Sequence, residues 1–341
     1  MKSIDKKIAK ANRLLNLLII LVAVLVAILG IVIGVRNYID SRKMDLSYSY
    51  QTEAYLSGDP LKKASSALAP AFASELCVGE ANVALGDVSL GEGEKGGLFK
   101  LDDYEILYAQ GIYDRIYPAS ITKIMTSLLA IEHGNMDDIV TIQPEDVTLE
   151  EGSQMSGMQA GDVVTMDQLF HALMVYSAND AAMAIARHIG GTVDQFVEMM
   201  NQEAQSLGMT GTHFANPHGL HDDNHYTTVY DIYLMLNRAF TEQKFTDVMS
   251  LSSYTLTVTT AAGSQRTRYL SATDRYLTGE VSAPDNVTVL GGKTGTTSQA
   301  GNCLAIVSQN AYGEPYISIV VNAQNKTTLY NDMNTLLSRI N

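Results

Sequence analysis

A serine and a lysine stand three residues apart in the first half of the chain, at Ser120 and Lys123. Residues three apart on a helix lie on one face, so the lysine amine is held beside the serine hydroxyl. A serine hydroxyl becomes an effective nucleophile when a base takes its proton. An ordinary lysine, with a pKa of about 10.4, is protonated at neutral pH, so burial or a neighbouring cation must lower its pKa. The spacing is compatible with nucleophilic catalysis in which Ser120 attacks and Lys123 is its base.

Taken alone, this pair is more typical of a helix-capping serine followed by a solvated lysine. A second motif, Ser177-Ala-Asn179, lies where two predicted helices meet. Its serine would relay a proton and its amide would donate to a substrate backbone; alternatively, the segment caps the helix that contains Asp180. The motif adds Ser177 and Asn179 as candidate catalytic residues and leaves the capping interpretation open.

A glycine-rich strand supplies the third motif, since residues 291–296 read Gly-Gly-Lys-Thr-Gly-Thr. Glycines in a strand let another backbone approach closely, so an extended peptide could bind along this edge by strand addition. Lys293 and Thr294 would then bind a terminal carboxylate, and Lys293 would also be the cation that lowers the pKa of Lys123. The predicted substrate-binding residues are Lys293, Thr294, Gly295 and Thr296.

Hydrophobic periodicity indicates which elements would position these motifs. Two short strands flank a turn at Asp102–Tyr104, a helical period follows, and strand-like runs return near residue 254. The predicted helices are 121–133, 165–176, 180–189, 192–208, 228–240 and 328–340, and the predicted strands are 97–101, 105–108, 254–260, 269–270, 287–290, 304–307 and 316–321. This order predicts one α/β (α+β) domain whose first and last strands share a sheet and which carries a helical insertion.

Together with their neighbours, the three motifs resemble the low-molecular-weight penicillin-binding proteins, the D-alanyl-D-alanine carboxypeptidase family. The similarity extends from about Gly97 to the end of the chain. The segments that carry it are Tyr117–Thr126, Tyr176–Ala182, Asn216–Asp222, Asn224–Thr228 and Gly291–Thr296.

The resemblance implies an antiparallel sheet of about five strands flanked by helices, with an all-helical subdomain. It implies that Ser120 attacks the last D-Ala-D-Ala bond of a peptidoglycan stem peptide, that an acyl-enzyme forms, and that water releases it. The backbone N–H groups of Ser120 and Thr296 would form the oxyanion hole. No metal or other cofactor is expected, and β-lactam antibiotics are expected as covalent inhibitors.

Three other functions share these motifs. A class A β-lactamase has Ser-Asp-Asn where this chain has Ser177-Ala-Asn179, and it uses a separate glutamate for deacylation. A non-catalytic β-lactam sensor keeps the same residues but acylates without turnover. An endopeptidase that cuts peptidoglycan cross-links has the same fold and motifs, and the sequence leaves this function open.

The N-terminal segment has the composition of a membrane anchor. Residues from Leu17 to Val35 are apolar apart from two glycines, and at about 1.5 Å per residue they span roughly 28 Å, close to the hydrocarbon core of a bilayer. A cleaved signal peptide would have a shorter apolar core and a small-residue cleavage site. Basic residues before the span predict a cytoplasmic N-terminus and an extracellular domain at the cell membrane. The predicted organisation is a cytoplasmic tail at 1–13, an anchor at 14–35, a linker at 36–75 and a DD-peptidase domain at 76–341.

Charge divides near the same boundary. Residues 1–43 contain eight Lys/Arg and two Asp/Glu, and because the whole chain has a net charge of −14, the remainder carries −20. A domain this acidic is not expected to bind nucleic acid.

Two further sets of residues invite a metal or redox interpretation. The histidines at 213, 218, 221 and 225 crowd one loop, but their spacing matches no common zinc motif, so no metal site is predicted. Cys303 is expected to be a small core residue, and whether it pairs with Cys77 is left open.

Overall fold

The computed structural model describes residues 75–340. The predicted cytoplasmic tail, the membrane anchor and nearly all of the linker lie outside these residues. Across the described range, no helix combines the length and the apolar content that crossing a bilayer requires.

The described elements alternate between strands and helices as follows. The strands are β1 (Asn82–Val83), β2 (Lys95–Lys100), β3 (Glu105–Gln110), β4 (Ile139–Thr141), β5 (Val163–Thr165), β6 (Ser253–Thr259), β7 (Gln265–Ser271), β8 (Thr288–Thr297), β9 (Gly301–Gln309) and β10 (Pro315–Ala323). The helices are α1 (Lys123–His133), α2 (Pro144–Val147), α3 (Met166–Val175), α4 (Asn179–Gly190), α5 (Val193–Ser206), α6 (Val229–Phe240), α7 (Gln243–Met249), α8 (Arg275–Thr278) and α9 (Lys326–Leu337). A 3-10 turn, Ala119–Thr122, immediately precedes α1.

Six strands form one antiparallel sheet in the order β1-β3-β2-β10-β9-β8. The pairing of Ile319 with Gly97 joins the last strand to the first hairpin, which confirms the prediction that the two ends of the domain share a sheet. The sheet has one strand more than expected, the two-residue β1. The glycine-rich strand β8 lies at one edge of the sheet, where it pairs with β9.

A second antiparallel sheet, ordered β4-β5-β6-β7, departs from the sequence prediction. Because β4 and β5 lie among the helices of the inserted subdomain, the expectation that this subdomain is all-helical is wrong. Each of these two strands has three residues, which is too short to show a period of two. In β7 only Leu270 is buried, so that strand also lacks an alternating apolar pattern.

Helix α1 lies at the centre of the domain, and its residues from Lys123 to Ala130 are all buried. A helix buried on every side is normally apolar around its whole circumference. An amine in that position costs free energy unless specific partners hydrogen-bond it. The lysine at the start of α1 is therefore the first structural sign of a site.

Side-chain caps fix where several helices begin. The predicted capping box at Thr165 is confirmed: Thr165 Oγ1 accepts from Gln168 N, and the Gln168 side chain accepts from Thr165 N. The hydroxyl of Thr192 caps α5 and the amide oxygen of Asn325 caps α9. Each such cap stabilises its helix by about 1 kcal/mol.

Candidate active site

Ser120 lies in the tight turn before α1, and the turn is confined on both sides. Ala119 has a φ of 47°, a left-handed conformation that non-glycine residues seldom adopt away from functional sites. A Cβ atom at Gly219 would lie 1.9 Å from Ala119 O, and one at Gly295 would lie 3.0 Å from Ser120 N. Glycine at both positions therefore allows β8 and the histidine loop to approach the backbone of the nucleophile.

The amine of Lys123 lies 2.9 Å from Ser120 Oγ, 2.7 Å from Asn179 Oδ1 and 2.6 Å from the carbonyl oxygen of His218. The last two atoms accept hydrogen bonds only, so they take the two N–H groups of a neutral amine. The remaining lone pair then faces the Ser120 hydroxyl. Burial, followed by the nearby Lys293 cation, holds the pKa of Lys123 well below its usual value, and Asp180 opposes this shift.

The second motif, Ser177-Ala-Asn179, lies at the start of α4 and next to the amine of Lys123. Asn179 is the first residue of this helix, and its backbone N–H donates to Gln154 O at 2.8 Å. Ser177 has a φ of 63°, so both candidate serines lie in strained turns. The side chain of Ser177 accepts a hydrogen bond from Lys293 Nζ at 2.8 Å.

Lys293 is itself 1% exposed. Besides Ser177, its ammonium group donates to Thr294 O at 2.9 Å, and an ammonium group has one further N–H. Burial lowers the pKa of Lys293 to about 7, and the Asp274 carboxylate opposes the shift. The lysine therefore carries a proton for part of the time at neutral pH.

The side chains converge on a cleft of about 170 Å³. It is bordered by residues of β8, by both candidate serines and by the first turns of α9. The lining residues are Ser120, Gln154, Ser177, Thr273, Thr294, Gly295, Thr296, Cys303, Lys326, Leu329 and Tyr330.

The structure brings all the predicted site residues to one place. Five of the eight predicted residues line the cleft: Ser120, Ser177, Thr294, Gly295 and Thr296. The other three are buried next to it, where Lys123 contacts Ser120 and Asn179, and Lys293 contacts Ser177. The capping alternatives are wrong, because α1 and α4 have no side-chain cap and neither Ser120 nor Ser177 is their N-cap residue. The catalytic roles of these residues stay predictions.

The crowded histidines have separate hydrogen-bond partners. His225 Nδ1 accepts from Ala215 N, and His225 Nε2 lies 2.7 Å from Thr122 Oγ1. Burial lowers the pKa of His225 to about 4 and that of His218 to about 3, so both rings are neutral at pH 7. In residues 75–340, no three His, Cys, Asp or Glu side chains are grouped as metal ligands.

Both cysteines are buried and unpaired. Cys303 lies in β9 opposite Gly295 and is fully buried, which confirms its predicted place in the core. Burial raises the pKa of the Cys303 thiol to about 12, so the group remains a thiol at neutral pH although it borders the cleft.

Three groups at or next to the site are not predicted from the sequence. The carbonyl oxygen of His218 is a backbone atom, so its contact with Lys123 cannot be inferred from the type of residue at position 218. Lys326 and Asp274 stand outside the three motifs, and only the tertiary packing of α9 and α8 brings Lys326 into the lining of the cleft and Asp274 next to its lining residues Thr273 and Tyr330. A search for charged residues within a few positions of predicted helix starts would have identified Lys326, because a helix is predicted from residue 328, but not Asp274, because the short helix α8 is not predicted.

Known proteins with similar sequences indicate the family to which this site belongs. The family model described as D-alanyl-D-alanine carboxypeptidase matches residues 99–325. D-alanyl-D-alanine carboxypeptidase DacF of Bacillus subtilis is 32% identical over 147 residues, which cover 42% of this chain and 38% of that protein. The D-alanyl-D-alanine carboxypeptidase of Streptomyces sp. strain K15 is 31% identical over 212 residues, which cover 59% of this chain and 71% of that protein.

The solved structures agree on the fold. The crystal structure of the Streptomyces K15 DD-transpeptidase matches with a TM-score of 0.68 and 26% identity, over 75% of this chain and 98% of that one. The α+β class with antiparallel sheets is thereby confirmed. The sequence match spans less than half the length of the Bacillus relative, whereas the family model covers most of the described domain. The chain therefore belongs to the D-alanyl-D-alanine carboxypeptidase family.

Proposed function

We propose that the chain is a membrane-anchored serine-type D-Ala-D-Ala carboxypeptidase that removes the terminal D-alanine from peptidoglycan stem peptides. The observation that carries this proposal is the hydrogen bonding of Lys123 Nζ, which commits two N–H groups to Asn179 and His218 and leaves a lone pair for the Ser120 hydroxyl. β-Lactam antibiotics would acylate the same serine oxygen and so inhibit the enzyme covalently.

In the acylation step, Lys123 Nζ takes the hydroxyl proton as Ser120 Oγ attacks the carbonyl carbon of the D-Ala-D-Ala bond. The backbone N–H groups of Ser120 and Thr296 flank the cleft and would stabilise the oxyanion that forms. Ser177 receives a hydrogen bond from Lys293, so its own hydroxyl can pass a proton to the departing amine while it regains one from protonated Lys123, which becomes neutral again. D-Alanine then leaves and the acyl group remains on Ser120.

Deacylation repeats this chemistry with water as the nucleophile. None of the three groups that contact Lys123 Nζ carries a negative charge that would stabilise the protonated amine. Burial also favours the neutral form of this lysine. Lys123 is therefore suited to take the proton of a water molecule that attacks the ester, as it takes that of the serine. The shortened peptide leaves with a new carboxylate.

Recognition of the substrate carboxylate would distinguish a carboxypeptidase from an endopeptidase. Thr294 and the cation Lys326 line the cleft, and the buried Lys293 ammonium contacts two lining residues, Ser177 and Thr294. A peptide that ends in a carboxylate gains charge-assisted hydrogen bonds here. A peptide that continues beyond this point gains none of them.

The decisive experiment measures two quantities on the full-length chain in detergent. Intact mass and peptide mapping after benzylpenicillin should place one adduct on Ser120, and Ser120→Ala should abolish it. A stem peptide that ends in D-Ala-D-Ala should lose one D-alanine, and its C-terminal amide should react far more slowly. Cleavage of cross-linked dimers alone would favour an endopeptidase, rapid hydrolysis of penicillin a β-lactamase, and acylation with no turnover a sensor.

The membrane attachment is a separate part of the proposal and rests on the apolar segment from Leu17 to Val35 and the basic residues before it. Protease added to cells stripped of their wall should digest the domain from outside. A domain that stays protected in wall-less cells with an unbroken membrane, or a mature N-terminus near residue 40, would show that the N-terminal segment is not an anchor of this orientation.

A further inference from the structure

One buried carboxylate beside the cleft has no role in the mechanism above. Asp274 is 3% exposed and caps α8: its Oδ1 accepts from Tyr276 N at 3.0 Å, and Tyr330 OH lies 3.4 Å from the same oxygen. Its other oxygen, Oδ2, is buried without a hydrogen-bond partner. A helix cap uses one oxygen and requires no charge, so capping accounts for Oδ1 and leaves the carboxylate unexplained.

Asp274 is fixed next to the strand that carries Lys293. Thr273, the preceding residue, has its Oγ1 2.6 Å from Thr294 Oγ1, and Thr294 directly follows the lysine. The backbone N–H of Thr273 also donates to Val175 O at 3.2 Å, just before the second motif. The carboxylate therefore has a defined position relative to both β8 and the segment that carries Ser177.

The groups packed around Asp274 leave the lysine as its counter-ion. Tyr276 and Tyr330 face it from α8 and α9, and burial followed by the Asp274 charge raises both phenol pKa values, so both stay neutral. Arg275, although adjacent in sequence, pairs with Glu280 at 3.4 Å. The remaining charge is that of Lys293: burial raises the pKa of Asp274 to about 6, and the Lys293 cation opposes this shift, so the carboxyl is mostly ionised at pH 7.

We propose that Asp274 is a positioning residue that keeps Lys293 protonated, and through Lys293 keeps Lys123 neutral. The inference rests on the proposed function for the roles of the two lysines. A buried ammonium group without a nearby anion loses its proton readily. A neutral Lys293 would bind a carboxylate weakly and would no longer disfavour a proton on Lys123. The carboxylate thus acts on the reaction without contacting the substrate.

The test is Asp274→Asn, which keeps a capping oxygen because Asn and Asp are equally good N-caps. Burial and the Asp274 charge together set the pKa of Lys293 at about 7, and removing an anion shifts such a pKa down by about one unit or more. With a shift of one unit, kcat/KM for D-alanine release falls about tenfold at pH 8 and about twofold at pH 6. Most of the change should be in KM, and the alkaline limb of the pH profile should move to lower pH.

Asp231→Asn is the matched control, because Asp231 is also 3% exposed but accepts hydrogen bonds from Gly211 and Thr212 instead. This control should change the melting temperature and leave the alkaline limb in place. The rate of acylation by benzylpenicillin, which also bears a carboxylate, is the second readout and remains measurable if the chain releases no D-alanine. An alkaline limb that stays in place in Asp274→Asn, or an activity loss that is uniform with pH, would overturn the proposal and identify a purely structural cap.

Discussion

The two sides of the cleft bury one lysine each, and they give those lysines opposite tasks. On the α1 side, Lys123 is bonded to three neutral groups, and burial together with the neighbouring cation lowers its pKa. On the β8 side, Lys293 is bonded to Ser177 and to a backbone carbonyl, with the Asp274 carboxylate nearby to oppose the effect of burial. One lysine is a base and the other a cation because their neighbours differ, although residue type and burial are the same.

The two sides also differ in how the sequence specifies them. Lys123 meets Ser120 over three positions of one turn, whereas Lys293 meets Ser177 over 116 positions. The pairing of Lys123 with Ser120 is therefore set by local helical geometry, although its contacts with Asn179 and His218 are long-range, and the β8 side exists only after the sheet and the inserted subdomain have come together. Substitutions on the α1 side should therefore slow the acylation of Ser120, whereas substitutions on the β8 side should weaken recognition of the substrate carboxylate.

The largest effect is expected from Lys123→Met, which keeps the apolar stem and removes the base. Loss of a general base typically costs about 10²–10⁴-fold in rate, so acylation of Ser120 by benzylpenicillin should slow by that factor. Time-resolved intact mass spectrometry measures it. Lys95→Met is the control, because Lys95 pairs with Asp114 at the surface. An acylation rate within a few-fold of the parent chain would show that another group takes the serine proton.

Lys293→Met should have the next largest effect and a different signature. A charge-assisted hydrogen bond contributes about 1.5–3 kcal/mol, which is about 10- to 150-fold in kcat/KM. The loss should be large for a peptide that ends in a carboxylate and small for its C-terminal amide. Steady-state kinetics on the two substrates measure the ratio. Equal losses on the carboxylate and amide substrates would mean that Lys293 acts only through its hydrogen bond to Ser177 and does not bind the substrate carboxylate.

Thr294→Val should cost less, about fivefold on the carboxylate substrate, because a neutral hydroxyl contributes about 1 kcal/mol. It removes the hydroxyl that contacts Thr273 and keeps a β-branched side chain suited to a strand. Thr288→Val, an exposed position at the far end of the same strand, controls for the change in β8. A loss of equal size in both variants would place the effect in the strand and not in the contact.

The features that could be predicted are those with a recognisable motif, a capping pattern or a hydrophobic period in the sequence. Helix α1, the capping box of α3 and the pairing of the first and last strands follow from period, caps and order of elements. The short strands β4 and β5 could not be predicted, because three residues show no periodicity and their pairing is long-range. Within the site, residue types identify Ser120 and Lys123, but the carbonyl of His218 and the carboxylate of Asp274 reach the lysines only through the tertiary fold.

The last and smallest effect concerns stability and distinguishes the two lysines without any substrate. The folded-state pKa of Lys293 is about 7, below an unfolded value of about 10.4, so between these values the unfolded chain binds a proton that the folded chain lacks. The free energy of unfolding then rises with pH, for this group by about 1 kcal/mol from pH 7 to pH 8.

Below pH 6, Lys293 is protonated in both states and contributes no slope. Lys123, whose folded-state pKa also lies well below its usual value because of burial and the Lys293 cation, contributes a slope of the same sign, because the unfolded chain binds a proton that its folded form lacks. Urea unfolding of the parent chain, Lys123→Met and Lys293→Met from pH 5.5 to pH 8 measures the differences. Lys293→Met should diverge in slope from the parent above about pH 6, and Lys123→Met should separately remove the positive slope that Lys123 contributes. Identical pH dependence of the two variants would mean that the lysines share one proton and that the division between base and cation does not hold in the free enzyme.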